Sequence, residues 1–374
     1  MMKTSSVISI ITFSLVITAI TSGTNTCNMD TYSRETVIDR FRDRATMFRP
    51  CTAESFETRT LAPLFIDSET SLQSFVASEG LPGSGTSYDP YIIEGYIFDS
   101  IRIDHVESHV LLRNNVFRPT TANSDPFFGI AFHFRYVSHV NVENNTVESI
   151  NSYGSIYPLI QVVRSSDIWI TGNTVIAAPN LLGIRVVESY DIYITNNMLD
   201  FSFNDQSAVI LYNNNHVQFS GNYLNYSWYV EDYGLEVENC KNLVITDNTL
   251  NDSDIYISTG DRVDITNNII DKDLITENSR HVKIVNNTCH FNIKMKQVDE
   301  ITVENNTVDY NLEIIMSSNG KVSGNVVKNL IIEDCQQITS TANKIISKKS
   351  VTSAGISTVI ITLIGLFSLN RKRH

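Results

Sequence analysis

Glu236 and Glu238, in the run LEVE, are spaced as a pair that could carry out acid–base chemistry on a sugar. Two residues that are two apart on a strand point to the same face and lie about 6–7 Å from each other. Glycoside hydrolases hold their two carboxylates about 5–9 Å apart, depending on the stereochemical outcome. The pair is therefore a candidate for catalysis if Leu235 and Val237 belong to a strand whose other face is buried.

Polar and aromatic residues at equivalent positions of neighbouring segments could surround this pair. Arg185 would supply a positive charge suited to an acidic sugar, and Tyr212 and Tyr256 would flank the carboxylates. Arg135 and Gln161 occupy the same positions farther towards the amino terminus and are candidate binding residues. Three interpretations of this set stay open: an active site, a sugar-contacting face without catalysis, and an ordinary solvated face.

These positions are equivalent because the chain repeats. The run VENNTV occurs at Val142–Val147 and again at Val303–Val308. An asparagine in the same setting recurs in eleven segments, first 30 residues apart and later 19 residues apart. Such a short, tightening period indicates a solenoid. The asparagines are Asn115, Asn145, Asn173, Asn197, Asn222, Asn248, Asn268, Asn287, Asn306, Asn325 and Asn343.

Each repeat reads as two alternating strands, a tight bend and a short third strand. Apolar residues alternate before the asparagine, as in Ile192 and Ile194, and another follows it, as in Leu199. The residue before the asparagine is Gly, Asn or Asp in all repeats but the last, and these types tolerate a left-handed backbone. We therefore predict an all-β parallel helix of three-sided coils. In it each inward asparagine hydrogen-bonds to the asparagine of the next coil.

The repeats resemble a known family. The segments DIYITNNML (Asp191–Leu199) and NLVITDNTL (Asn242–Leu250) are similar to the right-handed parallel β-helix repeats of NosD-like proteins. The segment LPGSGTSYDPYIIEGY (Leu81–Tyr96) looks like the sequence that precedes such repeats in archaeal surface proteins. The resemblance covers about Ala62–Lys348. It implies a right-handed β-helix, export, and a fold shared with polysaccharide lyases, and it implies little about activity.

The resemblance raises the question of whether the chain binds calcium or copper. Lyases of this fold often hold Ca²⁺ with carboxylates, so Ca²⁺ is expected only if the chain is a lyase, and no other cofactor is expected. Copper would need a cluster of His, Cys or Met. Four histidines stand six residues before a repeat asparagine, in a polar turn where other repeats carry Asp, Asn or Glu. Turn chemistry accounts for this column, so no metal site is predicted. The four are His109, His139, His216 and His281.

The ends of the chain are typical of an exported protein with a membrane anchor. Residues 1–23 read as a signal peptide, with Lys3 before an apolar run. Residues 351–369 carry no charge and precede Arg371, Lys372 and Arg373, which predicts a transmembrane helix with a cytoplasmic tail at 370–374. Between them we predict an irregular lead-in at 24–60, a cap at 61–98 with a helix from Ser68 to Ala77, and the β-helix at 99–348.

Cysteines and glycosylation sequons leave further alternatives open. Cys27 and Cys51 could pair in an oxidising compartment, whereas Cys289 occupies a core-facing position. Five sequons occur, and three of them fall on the left-handed bend residue, where Asn is favoured in any case. Glycosylation and turn preference explain them equally well. The sequons are at Asn144, Asn225, Asn251, Asn286 and Asn305.

The net charge and the sequence motifs together narrow the range of candidate functions. A net charge of -13 argues against a nucleic-acid partner. The sequence predicts a single-pass cell-membrane protein with an extracellular body that acts as a scaffold or binding module for surface glycans or partner proteins. One alternative is a polysaccharide lyase or glycoside hydrolase that uses Glu236, Glu238 and Arg185. Another is a purely structural component of a surface layer.

Overall fold

The computed structural model describes residues 59–61, 63–118, 130–148, 158–176, 182–201, 207–226, 233–346 and 360–362. All of them belong to one compact unit that starts at Glu57. The predicted signal peptide, the Cys27–Cys51 pair and the predicted cytoplasmic tail lie outside the described residues. Most of the predicted lead-in and membrane segment also lie outside them.

The described strands stack into three sides of a parallel β-helix, and each strand pairs in parallel with the strand one coil away. Side 1 contains β2 (Leu64–Ile66), β5 (Ile101–Asp104), β8 (Phe132–Arg135), β11 (Ile160–Val163), β14 (Ile184–Val187), β17 (Val209–Tyr212), β20 (Leu235–Glu238), β23 (Ile255–Ser258), β26 (Leu274–Glu277), β29 (Ile293–Lys296), and the later parts of β31 (Thr307–Ile315) and β33 (Val326–Glu333). Side 2 contains β3 (Tyr91–Glu94), β6 (Val110–Arg113), β9 (Ser138–Glu143), β12 (Ser166–Thr171), β15 (Tyr190–Thr195), β18 (Asn215–Ser220), β21 (Lys241–Thr246), β24 (Asp261–Thr266), β27 (Arg280–Val285), β30 (Asp299–Glu304), β32 (Ser318–Ser323), β34 (Gln336–Thr341) and β36 (Ile360–Thr362). Side 3 contains β1 (Arg59–Leu61), β4 (Tyr96–Phe98), β7 (Val116–Phe117), β10 (Thr146–Glu148), β13 (Thr174–Ile176), β16 (Met198–Asp200), β19 (Tyr223–Asn225), β22 (Thr249–Asn251), β25 (Ile269–Ile270), β28 (Thr288–Cys289), β35 (Lys344–Ile345), and the first residues of β31 and β33.

The alternation of the sequence produces this architecture directly. On β15, Ile192 and Ile194 are fully buried, while Tyr193 between them faces outwards. Leu199 on β16 closes the same coil from side 3. Each such side chain contributes about 1.5–3 kcal/mol when it is fully buried. Because every coil repeats this pattern, the apolar side chains form one continuous core along the stack.

The corner between sides 2 and 3, called the asparagine corner here, carries the predicted row of asparagines. The Asn145 backbone N–H donates to Asn173 Oδ1 at 2.9 Å, and Asn145 Nδ2 donates to the same oxygen at 3.0 Å. The second Nδ2 hydrogen reaches the Leu112 carbonyl at 2.9 Å. The same pattern runs from Asn115 to Asn343. The row satisfies amides that are otherwise buried from water.

The residue before each of these asparagines is left-handed, as the sequence predicts. Asn144 has a φ of 53° and Gly172 a φ of 66°, and even Ala342 has a φ of 55°. A Cβ added to Gly172 would lie 2.5 Å from Asn144 Oδ1 of the preceding coil. Glycine at this position therefore makes room for the asparagine side chain stacked against it.

From the coil of Tyr136 onwards, the corner between sides 1 and 2 has two left-handed residues per coil that the sequence does not reveal. Tyr136 (φ 54°) and Arg164 (φ 50°) are bulky residues of this kind. A left-handed backbone costs about 1–2 kcal/mol for such residues. Hydrogen bonds between coils hold them, because Tyr136 N donates to the Val163 carbonyl at 3.1 Å and Arg164 N donates to the Val187 carbonyl at 3.0 Å.

Small polar side chains form a second inward row at the same corner. Ser165 N donates to Ser189 Oγ at 3.1 Å, and Ser189 N donates to Asn214 Oδ1 at 2.9 Å. Cys240 follows Asn214 in this row. Cys335 follows Ser317, whose backbone N–H donates to its sulfur at 3.4 Å. The sequence spacing of the cysteines does not disclose this shared role, which only the stacking of the coils creates.

A helix covers the amino-terminal end of the core. It is α1 (Glu69–Glu79), with Ser68 as N-cap and Gly80 (φ 63°) as C-cap, close to the predicted span from Ser68 to Ala77. Leu72 and Val76 on its inner face are buried in the common core. The strands around α1 already pair with the coils, since β2 pairs with β5 and β3 with β6. The segment predicted as a cap therefore also supplies the first coil.

The carboxyl end differs from its prediction at three residues. Within the predicted transmembrane segment 351–369, Ile360–Thr362 form strand β36, which pairs with Thr339–Thr341 of β34. β-branched residues suit a strand, and the last coil offers an open sheet edge to pair with. Within the described part of the chain, no helix is long and apolar enough to cross a membrane.

Candidate binding face

The outward residues of side 1 form two columns in parallel register. Column A contains Phe65, Arg102, His133, Gln161, Arg185, Ile210, Glu236, Tyr256, Ile275, Lys294, Glu313 and Ile331. Column B contains Asp104, Arg135, Val163, Val187, Tyr212, Glu238, Ser258, Glu277, Lys296, Ile315 and Glu333. From His133 in column A and Arg135 in column B onwards, alignment on the repeat asparagines gives the same columns from the sequence, because the strand lengths do not vary where the loops do.

Four of the candidate residues are neighbours in the middle of side 1. Glu236 pairs with Tyr256 in the next coil, and Glu238 pairs with Tyr212 in the preceding coil. Glu236 is half-buried, whereas Glu238 and Tyr212 are exposed. We call Tyr212, Glu236, Glu238 and Tyr256 the central patch. It presents two carboxylates and two phenol rings on one outward face.

The remaining candidates lie outside the central patch. Ile210 stands between Arg185 and Glu236 in column A, so the strand that carries Arg185 lies two coils from the strand that carries Glu236. Gln161 lies one coil beyond Arg185. Arg135 is three coils from Tyr212, and its Nη2 donates to Asp104 Oδ2 at 2.9 Å. Arg135 therefore belongs to a separate ion-pair cluster near the amino-terminal end of the face.

That cluster surrounds a buried carboxylate. Asp104 is 3% exposed and forms ion pairs with Arg102 and with Arg135. His133 beside it is 6% exposed. The pKa of His133 is lowered to about 4, mainly by burial; Asp104 opposes this shift, and Arg102 and Arg135 add to it. The imidazole is therefore neutral at physiological pH.

Two residues that the repeat pattern does not mark complete the central patch. Ser207 Oγ donates to Glu236 Oε2 at 2.7 Å, which orients that carboxylate. Tyr233 stacks on Tyr256 with 4.5 Å between ring centroids and 10° between planes. Both come from the connection between side 3 and side 1, whose length varies from coil to coil. Sequence alignment on the asparagines has no signal for them.

The phenols of this stack stay protonated donors. Burial raises the pKa of Tyr256, and the charge of Glu277, whose Oε2 accepts from its hydroxyl at 3.5 Å, adds to the rise. Burial raises the pKa of Tyr233 too, with Tyr256 and Asp254 next in effect. The patch therefore combines hydroxyl donors with carboxylate acceptors, the pairing that hydroxyl-rich ligands need.

A shallow depression of about 320 Å³ continues the face towards the carboxyl end. Lys294 Nζ there donates to Asp273 Oδ2 at 2.5 Å, while Lys296 is exposed and stands beside Glu277. Both lysines lie in the predicted columns, but no sequence signal sets them apart as a site. The depression is lined by Ile275, Glu277, Lys294, Lys296, Glu313 and Ile315.

The histidine column makes pairwise contacts at the corner between sides 1 and 2. His109 and His139 stack with 4.2 Å between centroids, and His139 Nδ1 lies 2.7 Å from Asp167 Oδ2. His216 Nδ1 lies 3.2 Å from Asp191, and His281 contacts Asp261 at 2.9 Å. Within the described ranges, no three His, Cys, Asp or Glu side chains are arranged to hold a metal ion. His139, His216 and His281 have left-handed backbones, with φ values of 60°, 54° and 53°, so turn geometry accounts for three of the four histidines.

Comparison with known proteins supports the coarse fold. Residues 129–289 match the family described as right handed beta helix region. A solved structure, PfbA, a surface adhesin of Streptococcus pneumoniae, is similar with 11% sequence identity and a TM-score of 0.35, covering 87% of this chain and 90% of that one. No curated protein matches significantly. The family match over residues 129–289 supports the right-handed β-helix, whereas the finer NosD-like and archaeal resemblance stays a prediction.

Proposed function

We propose that this protein is a surface-held β-helix whose side 1 binds saccharides, without catalysis of its own. The observation that carries the proposal is the unbroken run from the central patch into the depression, which spans Tyr212 to Ile315 along side 1. Phenol rings offer an apolar surface with a polar tip. Carboxylates accept hydrogen bonds from sugar hydroxyls. A long, shallow, open face suits an extended polymer better than a small molecule, which needs a deep pocket.

The cellular setting belongs to the same proposal. The predicted signal peptide at 1–23 and the predicted anchor at 351–369 would place the β-helix outside the cell, attached to the membrane. Partner proteins are an alternative occupant of the same face. The net charge of -13 disfavours a nucleic acid.

The binding test uses the full chain and a panel of neutral and acidic polysaccharides, with and without Ca²⁺. Tyr256→Ala is expected to weaken binding at least tenfold, because the stacked ring provides contact area at the centre of the face. Tyr193→Ala is the matched control, since Tyr193 stacks on Trp169 on side 2 with 3.9 Å between centroids. Equal loss in both variants, or binding to none of the polysaccharides, would refute the assignment to side 1.

A lyase or hydrolase is the second candidate. It is favoured by the placement of Glu236 and Glu238 on one strand of an open face, about 6–7 Å apart. Turnover would appear as new reducing ends or as absorbance from unsaturated uronate. If the pair is catalytic, Glu236→Gln combined with Glu238→Gln abolishes it. Turnover that survives the double substitution would exclude these carboxylates.

A structural component of a surface layer is the third candidate. It predicts no saccharide binding and side-by-side association of the molecules. Sedimentation of the full chain in detergent distinguishes it from the binding module, because a module without self-association sediments as one species at all concentrations.

A further inference from the structure

The five sequons divide into two groups by what their side chains contact. Asn251 Nδ2 donates to Asn225 Oδ1 at 2.7 Å, and Asn225 Nδ2 donates to Asp200 Oδ1 at 3.0 Å. Both amide nitrogens are thus held in a hydrogen-bonded row on side 3. The hydroxyl residue of the Asn251 sequon, Ser253, is fully buried and donates to the Asn251 carbonyl at 3.0 Å. A glycan at Asn225 or Asn251 would break this row.

The other three sequons lie on the asparagine corner and are exposed. Asn144, Asn286 and Asn305 have φ values of 53°, 57° and 55°, in the left-handed region. Their side chains point away from the core, and their amide nitrogens form no hydrogen bond with the part of the chain that the structure describes. The sequon hydroxyls come from Thr146, Thr288 and Thr307, which lie at the surface or half-buried.

These three sequons differ in the residue that stacks on the asparagine from the next coil. Asn144 lies against Gly172, and Asn305 lies against Gly324, where an added Cβ would be 2.5 Å and 2.3 Å from the Oδ1 atoms. Neither glycine has a side chain to compete for the space outside the corner. Asn286, by contrast, is followed in the same row by Asn305, about 4.8 Å away. Two glycans cannot leave adjacent positions at that distance without collision.

We propose that Asn144 and Asn305 are acceptor sites for N-linked glycans, and that Asn225 and Asn251 are not. The inference rests on the export in the proposed function. In the transfer, Asn Nδ2 attacks the anomeric carbon of an oligosaccharide carried on a lipid diphosphate. The new C–N bond replaces the carbon–oxygen bond to the diphosphate, the lipid diphosphate leaves, and Nδ2 loses one proton. Asn286 is occupied only in molecules whose Asn305 is free.

Asn144 and Asn305 lie where an attached glycan would not cover side 1. The asparagine corner joins sides 2 and 3, so in a three-sided coil it lies opposite side 1. Glycans at Asn144 and Asn305 would therefore leave the central patch and the depression open. They would also hinder the asparagine corner of one molecule from packing against a second molecule.

The test expresses the full chain behind a secretory leader in a eukaryotic host, so that export is supplied. Folded protein that has reached the cell surface is extracted with detergent and treated with peptide N-glycosidase in heavy-oxygen water, which marks each occupied Asn as a labelled Asp for mass spectrometry. We expect label at Asn144 and Asn305 in most molecules and none at Asn225 or Asn251. Label at Asn225 or Asn251, or none at both Asn144 and Asn305, overturns the proposal. Saccharide binding is measured separately on bacterially produced, unglycosylated protein, so the two proposals fail independently.

Thr307→Ala provides the second variant. It removes the sequon of Asn305 at an exposed position and keeps the asparagine itself. We expect the label at Asn305 to disappear, the label at Asn144 to stay, and the label at Asn286 to rise severalfold. An unchanged label at Asn286 would contradict the argument from crowding.

Discussion

Asn268 Oδ1 accepts two hydrogen bonds from Asn248, one from the backbone nitrogen at 3.0 Å and one from the side-chain nitrogen at 2.9 Å. Asn268 Nδ2 in turn donates to Asn287 Oδ1 at 3.0 Å and to the Ile245 carbonyl at 2.9 Å. All three asparagines are about 1% exposed. Each member of the row thus satisfies its neighbours on both sides, and none can be removed without leaving buried groups unpaired.

Replacing Asn268 with Leu is expected to lower the free energy of unfolding by about 3 kcal/mol or more. A buried donor or acceptor without a partner costs about 1–3 kcal/mol, and this change leaves several. The measurement is urea unfolding followed by circular dichroism. Asn141→Leu, on the outward face of β9, is the control and should leave the free energy of unfolding nearly unchanged. Equal stability of the two variants would show that the row does not support the fold.

His133 is expected to make stability fall as the pH drops. Burial lowers its pKa from 6.5 to about 4 in the folded chain. Between about pH 6.5 and pH 4 the unfolded chain therefore binds a proton that the folded chain excludes. The free energy of unfolding should decrease over this window by up to about 3 kcal/mol.

Comparing the native chain with His133→Gln isolates this contribution from the carboxylates that titrate in the same range. The difference in free energy of unfolding between pH 7 and pH 4 should be smaller in the variant. Identical pH dependence in His133→Gln and the native chain would contradict the burial of a neutral imidazole.

The three described cysteines are expected to resist thiol reagents while the protein is folded. Burial raises the pKa of Cys240 to about 11 and that of Cys289 to about 12, and it also raises the pKa of Cys335. Thiolates are the reactive species, so alkylation at pH 8 should be slow in buffer and complete in urea. Rapid labelling of any of the three in the native protein would contradict their placement inside the coils.

The same experiment reports on whether Cys27 and Cys51 form a disulfide. Mass spectrometry of protein alkylated in urea without reductant should find Cys27 and Cys51 unmodified and linked if they pair. If they do not pair, both should carry the alkyl group. If the protein is reduced before alkylation, both cysteines should carry the alkyl group whether or not they pair.

Glu69 is expected to hold the amino-terminal cap to the first coils. Its Oε1 accepts from the backbone nitrogens of Glu107 and Ser108 at 2.5 and 2.7 Å, and its Oε2 accepts from Ser108 Oγ at 2.8 Å. Glu69→Ala removes these charge-assisted bonds and should lower stability by about 2 kcal/mol. Amide hydrogen exchange should accelerate in α1 and β6. Glu107→Ala, whose side chain is exposed in the same turn, is the control, and equal acceleration in it would contradict this role.

Loop-dependent features of side 1 could not be derived from the sequence. Ser207 and Tyr233 reach the central patch from connections of variable length, which have no fixed offset from the repeat asparagine. Arg135, a candidate binding residue, pairs with Asp104 of the preceding coil, a contact that the sequence does not disclose. Such relations depend on which coil lies next to which, information that a single repeat does not contain.

The amino-acid sequence by itself determined the coil. Alternating apolar residues and a Gly/Asn–Asn bend are local properties, so they predicted the parallel strands, the left-handed bend before Asn145 and its equivalents, and the register of side 1. Only the tertiary structure decided the left-handed backbone of Tyr136 and Arg164 and the row shared by Ser317 and Cys335. Those features are imposed by hydrogen bonds between coils, which can outweigh the local preference of any residue type.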